Sequence, residues 1–235
     1  MKKLALGIVA LLLFILVGCS QPENNSNHTM INDNPIESKS PIEASVEPSG
    51  KPVTDMLSEL ANQEFSIKED QIREEDYDSI VTFGESFVNL YTGAVAEQVT
   101  VSFENYISNA NLLKFTDKML ELAQKQELKG ASSVDFGLDN EFEEEELKKL
   151  DENLYYLSLP FSNQGSGMTC KLLVQSTNKS LEIVDLYFGY KDGVDTITTG
   201  HPAVREINNP KLWDDQEWVD GVFEKLEQYE SELNS

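Results

Sequence analysis

The side chains best suited to chemistry in this 235-residue chain are few and far apart. Asp185 sits in Leu181-Glu182-Ile183-Val184-Asp185-Leu186-Tyr187, a strand-like run in which period two puts it on one face with Leu181, Ile183 and Tyr187. An apolar strand face raises a carboxyl pKa, and a carboxylate so placed in a cup-shaped site could accept a proton. The plainer reading is a solvent or dimer face, because Glu182 shows that either face tolerates charge. His201, in Thr198-Thr199-Gly200-His201-Pro202, is the sole imidazole beyond His28. It could serve as a general base if a carboxylate oriented it; a Gly-His-Pro loop whose ring closes local hydrogen bonds is the simpler expectation. Asp185, Tyr187 and His201 are thus the candidate pocket residues, and no residue is assigned a catalytic role.

Glu143-Glu144-Glu145-Glu146, and Asp192 with Asp195, could attract calcium. Calcium needs six to eight converging oxygens, and neither run has the alternating Asx residues and spaced glycine of a dedicated loop. Solvated charge is expected, with no metal and no cofactor. Trp213 and Trp218 flank Asp214-Asp215-Gln216-Glu217 and could stack on a sugar or a peptide. Trp218 falls on the apolar stripe of a C-terminal helix and is expected in the core, while Trp213 stays open. Cys170, in Met168-Thr169-Cys170-Lys171-Leu172-Leu173-Val174, reads as a small buried hydrophobe on a strand. The chain has no Gly-rich phosphate loop, metal-spaced Cys/His set, Gly-x-Ser-x-Gly elbow or basic nucleic-acid patch.

The other cysteine has a different setting. Lys2 and Lys3 precede an unbroken apolar run, Leu4 to Leu16, followed by Leu16-Val17-Gly18-Cys19. The run is too short for a bilayer span, which needs about 20 residues, and suits the core of a signal peptide. The small residues before Cys19 let the peptide lie extended in a peptidase cleft. This segment resembles the lipobox of bacterial lipoproteins. The resemblance implies cleavage after residue 18 and a diacylglyceryl group on Cys19, whose two acyl chains hold a protein firmly on a membrane. The expected location is the extracytoplasmic face of a cell membrane.

Charge bears on partners. The chain carries 18 basic and 42 acidic residues; loss of Lys2 and Lys3 leaves 16 against 42, a net charge of −26. Such a protein is repelled by nucleic acid and by anionic lipid. The expected partners are the membrane, reached through the anchor, and either a cationic protein or a small-molecule ligand; a homodimer is a further expectation. Ser20 to Val53 holds five prolines and no aromatic residue, so it cannot offset its ordering entropy and reads as a disordered tether.

The elements that must position the candidates follow from periodicity. The expected organisation is a signal segment over 1–18, a lipidated tether over 19–53 and one domain over 54–235. Thr54 opens a short helix to Ala61. Ile80, Phe83, Gly84, Phe87, Val88 and Tyr91 form a helical stripe that Gly93 ends. Phe103 and Tyr106 mark a single helical turn. Ser108 or Asn109 caps a third helix with Leu112, Phe115, Met119 and Ala123 on its inner face, stopped by Gly130. Strands are expected at 132–138, 154–161, 168–176 and 181–190, with 141–151 a solvated loop or helical turn. Asp192-Gly193 is a hairpin signal that sends 194–199 back as a strand. A last helix runs from Asp215 to Leu233, with Trp218, Val222, Leu226, Tyr229 and Leu233 on its apolar face.

Helices first and antiparallel strands after them describe an α+β domain, with N-terminal helices packed on a curved antiparallel sheet and a C-terminal helix added. The Ile80 to Tyr91 stripe, the Asn105-Tyr106-Ile107-Ser108 segment, the helix to Gln126 and the strand meander resemble, over residues 75–200, the cystatin-like, NTF2-like cone fold. That resemblance implies a ligand-binding cup, a dimerising module or, less often, an isomerase or dehydratase. The favoured expectation is a non-catalytic binding or interaction domain. The alternatives are a small acid/base enzyme using Asp185 or His201 and a structural subunit of a cell-envelope assembly.

Overall fold

A computed structural model describes residues 52–69 and 71–235. The signal segment, Cys19 and the tether as far as residue 51 lie outside the described residues.

Three helices come first. Helix α1 (Val53–Ala61) begins one residue ahead of the expected boundary. Helix α2 (Tyr77–Ala96) is the predicted stripe, with Ile80, Phe83, Phe87, Val88 and Tyr91 all buried. It does not end at Gly93. A Cβ there would stand 2.7 Å from Leu57 Cδ2 of α1, so this glycine admits a neighbour and does not break the helix. The chain leaves α2 after Ala96, with Gln98 at φ 55°. Phe103 O accepts from Tyr106 N and Ile107 N, both at 2.9 Å, the single turn expected there. Helix α3 (Ala110–Leu128) is capped by Asn109, whose side chain accepts from Asn111 N and Leu112 N.

The sheet has five antiparallel strands: β1 (Asn140–Phe142), β2 (Glu146–Asp151), β3 (Leu154–Asn163), β4 (Ser166–Thr177) and β5 (Ser180–Gly189). Its order is β1-β3-β4-β5, with β2 also on β3. The segment expected as an acidic loop therefore supplies two strands. They are hard to see in sequence because β2 is almost wholly exposed; what ties its side chains down is Lys148 over the Tyr156 ring and Lys149 over that of Tyr155, 5.8 and 5.7 Å from the centroids. Conversely, 132–138 forms no strand. Val134 and Phe136 pack on the core, but the Gly137 amide goes to Asn163 Oδ1 at 2.6 Å, so the backbone is satisfied by a side chain and needs no ladder.

The Asp192-Gly193 hairpin is also absent. Gly193 has φ −61° and ψ 147°, which no type I′ turn allows. A Cβ on it would lie 2.9 Å from the Tyr190 ring, so the glycine lets that ring pack. The chain enters a short helix, α4 (Val194–Thr198), and then a long irregular segment to Trp213. Helix α5 (Gln216–Leu233) is capped by Asp215. Val219, Val222 and Leu226 are its buried residues, with Trp218, Tyr229 and Leu233 only partly covered. Trp218 packs against the core as expected but is only partly buried, and Trp213, whose role the sequence left undecided, is fully buried.

The main core lies between the helices and one face of the sheet; a small second cluster of Leu173, Tyr187 and Ile207 covers the other face. The outer border of β5 is occupied. Ser66 bridges Ser180, Ile67 N donates to Lys179 O at 2.8 Å, and Ile183 N donates to Tyr106 O at 2.7 Å.

Candidate functional site

Strand β4 alternates without interruption, so Met168, Cys170 and Leu172 face the core while Thr169, Lys171 and Leu173 face away. Strand β5 carries one extra residue. Asp185 pairs with Leu173 and Ile183 with Val174, which leaves Val184 unpaired in a bulge. Leu181 and Ile183 face the core before the bulge, and Leu186 and Phe188 after it. Asp185 thus shares the outer face with Tyr187 but not with Leu181 and Ile183, contrary to strict period two.

On that outer face α4 and the loop after it wall a cavity of about 450 Å³. Tyr187 and His201 both line it, with Thr169, Lys171, Lys191 and Thr196 among their neighbours. Two of the three candidate pocket residues are therefore brought together. Tyr187 Oη lies 2.7 Å from Thr196 Oγ1, and burial pushes the phenol up from its ordinary range. His201 is exposed, and its Nδ1 accepts the Ala203 amide at 3.2 Å, the local closure expected of a Gly-His-Pro loop.

Asp185 does not line the cavity. It is fully buried beneath the 199–213 segment, and its Oδ1 accepts from Arg205 Nη2 at 2.5 Å, Trp213 Nε1 at 2.8 Å and Leu186 N at 3.0 Å. Burial pushes this carboxyl up, while Arg205, Trp213 and the Leu186 amide pull it back. Trp218 closes the cluster from outside: its ring packs edge-on to Trp213, with centroids 4.8 Å apart, and the Arg205 guanidinium carbon lies 5.4 Å from its centroid. Asp185 and His201, the alternative acid/base candidates, lie apart: Asp185 is buried against Arg205 and Trp213, and His201 stands on the cavity wall.

Asp195 was legible only as a surface calcium candidate. It is buried, accepts the Phe188 amide on Oδ2 at 2.8 Å and the Thr199 hydroxyl on Oδ1 at 2.5 Å, and its carboxyl is driven up to about 7, chiefly by burial. Cys170 lies in the core, where burial raises its thiol well above the usual range. Among the described residues no group of three or more His, Cys, Asp or Glu could hold a metal ion.

A second concavity, of about 760 Å³, runs between α3 and α5. Leu113, Leu120, Phe223 and Leu226 give it an apolar floor, and Glu104, Asp117 and Glu227 stand on its rim. Desolvation and the neighbouring Glu104 raise Asp117. Glu121 and Glu230 are paired with Lys118 and Lys125, which cross-link the two helices. No helix among the described residues is long and apolar enough to cross a membrane. Compared with known protein families, curated proteins and solved structures, the chain has no match.

Proposed function

We propose that this protein is a lipid-anchored extracytoplasmic lipoprotein, tethered through Cys19, whose single α+β domain binds a ligand and performs no chemistry on it. The anchor rests on the apolar run and the Leu16-Val17-Gly18-Cys19 segment. We also read the helices and sheet as a cone of the cystatin-like, NTF2-like kind, a reading supported by element order alone.

The observation that carries the binding reading is the separation of Asp185 from the cavity that holds Tyr187 and His201. A general base must reach its proton within about 3 Å. Asp185 is committed to Arg205 and Trp213 below the surface, which removes it from the enzyme alternative and leaves His201 as the one candidate of that alternative on the cavity wall.

Two measurements test this proposal. Cys19→Ala should abolish cleavage after residue 18 and the incorporation of labelled lipid; wild-type protein that takes up no lipid and partitions into the aqueous phase would defeat the anchor. Thr169→Trp should fill the hollow and remove any small-molecule binding seen by calorimetry, and ligand turnover by the wild type would defeat the non-catalytic reading. One observation favours a second reading: the apolar groove between α3 and α5 carries Glu104, Asp117 and Glu227 against Lys114, unpaired among the described residues and 4.5 Å from the Phe223 ring centroid, so its lining is acidic on balance and suits a cationic amphipathic segment of a protein partner.

A further inference from the structure

We propose that the hollow on the outer face of β4 and β5 takes a small organic anion, one carboxylate or phosphate group carried on a ring-sized apolar body; this rests on reading the domain as a binding module and gives that module its ligand class. Apart from the Thr169 hydroxyl, which can donate or accept, the polar side chains free to engage a ligand there are donors. Lys171 and Lys191 line the cavity, and neither is paired with a carboxylate among the described residues. Lys171 Nζ stands 5.9 Å from the centroid of the Tyr187 ring, which holds the ammonium over the aromatic wall. His201 accepts the Ala203 amide on Nδ1, so the proton of its neutral ring sits on Nε2 as a donor. Thr196 gives its hydroxyl proton to Tyr190 O at 3.0 Å, so in its contact with Tyr187 the phenol is the donor and is spent inside the wall.

The nearby acids are committed elsewhere: Asp185 to Arg205, Asp195 to Phe188 and Thr199, Asp192 to Ser133. A cation entering here meets two ammonium groups, whereas an anion meets three donors. The chain's net charge of −24 does not cancel this. Screening damps charges beyond about 8 Å at physiological ionic strength, so the two lysines in the wall outweigh distant carboxylates. An anionic bilayer, in contrast, meets the field of the whole molecule and is repelled. Size and apolar wall complete the class. About 450 Å³ falls in the range of small-molecule sites, and Pro202 and the edge of Tyr190 offer apolar surface that a bare inorganic ion leaves unused, while Tyr187 is buried behind them.

The test is calorimetry on the full chain in a non-ionic detergent at physiological salt, with benzoate and phenyl phosphate as probes and benzamide and benzyl alcohol as neutral isosteres. We expect saturable binding of at least one anion, with the neutral isosteres ten-fold weaker or more. Lys171→Gln with Lys191→Gln should weaken it at least ten-fold, Lys171→Arg should retain it, and near-ultraviolet dichroism should confirm that the fold is kept. Equal binding of benzoate and benzamide, or binding indifferent to the double lysine change, overturns the anion assignment and leaves a binding hollow in place. No binding of any of the four probes, with Thr169→Trp indistinguishable from the wild type, overturns both.

Discussion

Trp213 donates its indole Nε1–H to Asp185 Oδ1 at 2.8 Å, across 28 residues of sequence, and neither side chain retains contact with solvent. This bond fastens the irregular segment after α4 to the outer face of β5. Trp213→Phe keeps most of the ring and removes the donor, so it should cost about 1–3 kcal/mol. Trp213→Ala should cost about 3–5 kcal/mol, as for other buried large side chains. Trp218→Ala, at a partly covered site, should cost clearly less than Trp213→Ala. Urea melts of the three variants check the order, and the protein retaining only Trp218 should fluoresce further to the red.

Arg205 and Asp185 form a buried ion pair. Removing one partner strands the other charge, so Arg205→Met alone should destabilise by about 3–5 kcal/mol at neutral pH. Replacing both, as in Arg205→Met with Asp185→Leu, should recover much of that loss. A double-mutant cycle measures the coupling. Additive losses would mean that the two residues act separately.

Asp195 makes stability depend on pH. Its carboxyl is raised from the ordinary 3.8 to about 7. The unfolded chain releases this proton near 3.8 and the folded one holds it to about 7, so the contribution is complete at low pH and is lost as pH rises through that window. The slope is about 1.4 kcal/mol per pH unit. Glu230, lowered to about 2 by Lys118 and Lys125, acts in the opposite sense at acid pH. The informative quantity is therefore the difference between wild type and Asp195→Asn, whose amide has no proton to release. The advantage of the wild type over the variant should shrink between pH 4 and pH 7; a flat difference would contradict the assignment.

The groove between α3 and α5 predicts a peptide response. A synthetic cationic amphipathic helix should bind the full chain, and Phe223→Asp should weaken it at least ten-fold. Glu232→Gln, on the same helix five residues beyond the groove-lining Glu227 and not itself in the lining, should leave binding within two-fold. Binding kept or strengthened by Phe223→Asp and weakened by Glu232→Gln would mean that net charge alone attracts the peptide.

Much of the helical half was legible because its signals are local. The stripe of α2, the Asn109 cap and the final helix follow from spacing over a few turns. The site was less legible because its determinants are not local. A single unpaired residue, Val184, moves Asp185 to the other face, and nothing in the run around it marks the bulge. Asp192-Gly193 has the chemistry of a tight hairpin, but tertiary packing of Tyr190 selects an extended Gly193. Lys148 and Lys149 look like loop residues until the tyrosines across from them are known. Trp218 lies on a helical stripe and Trp213 on none, yet the residue without periodicity is the one enclosed, because Asp185 supplies its hydrogen-bond partner.

The occupied border of β5 has a further consequence. A bare outer strand is a template on which a second chain can zip backbone to backbone, and the hazard grows wherever molecules crowd. Residues 65–67 and the carbonyl of Tyr106 cover the first part of that template, and the carboxylates of Asp185 and Asp195 take the Leu186 and Phe188 amides of the rest. On the opposite border β2 offers Glu146, Lys148, Lys149 and Asp151, charges that resist a flat neighbour. Copies of this domain packed side by side can touch without fusing into a continuous cross-β ribbon.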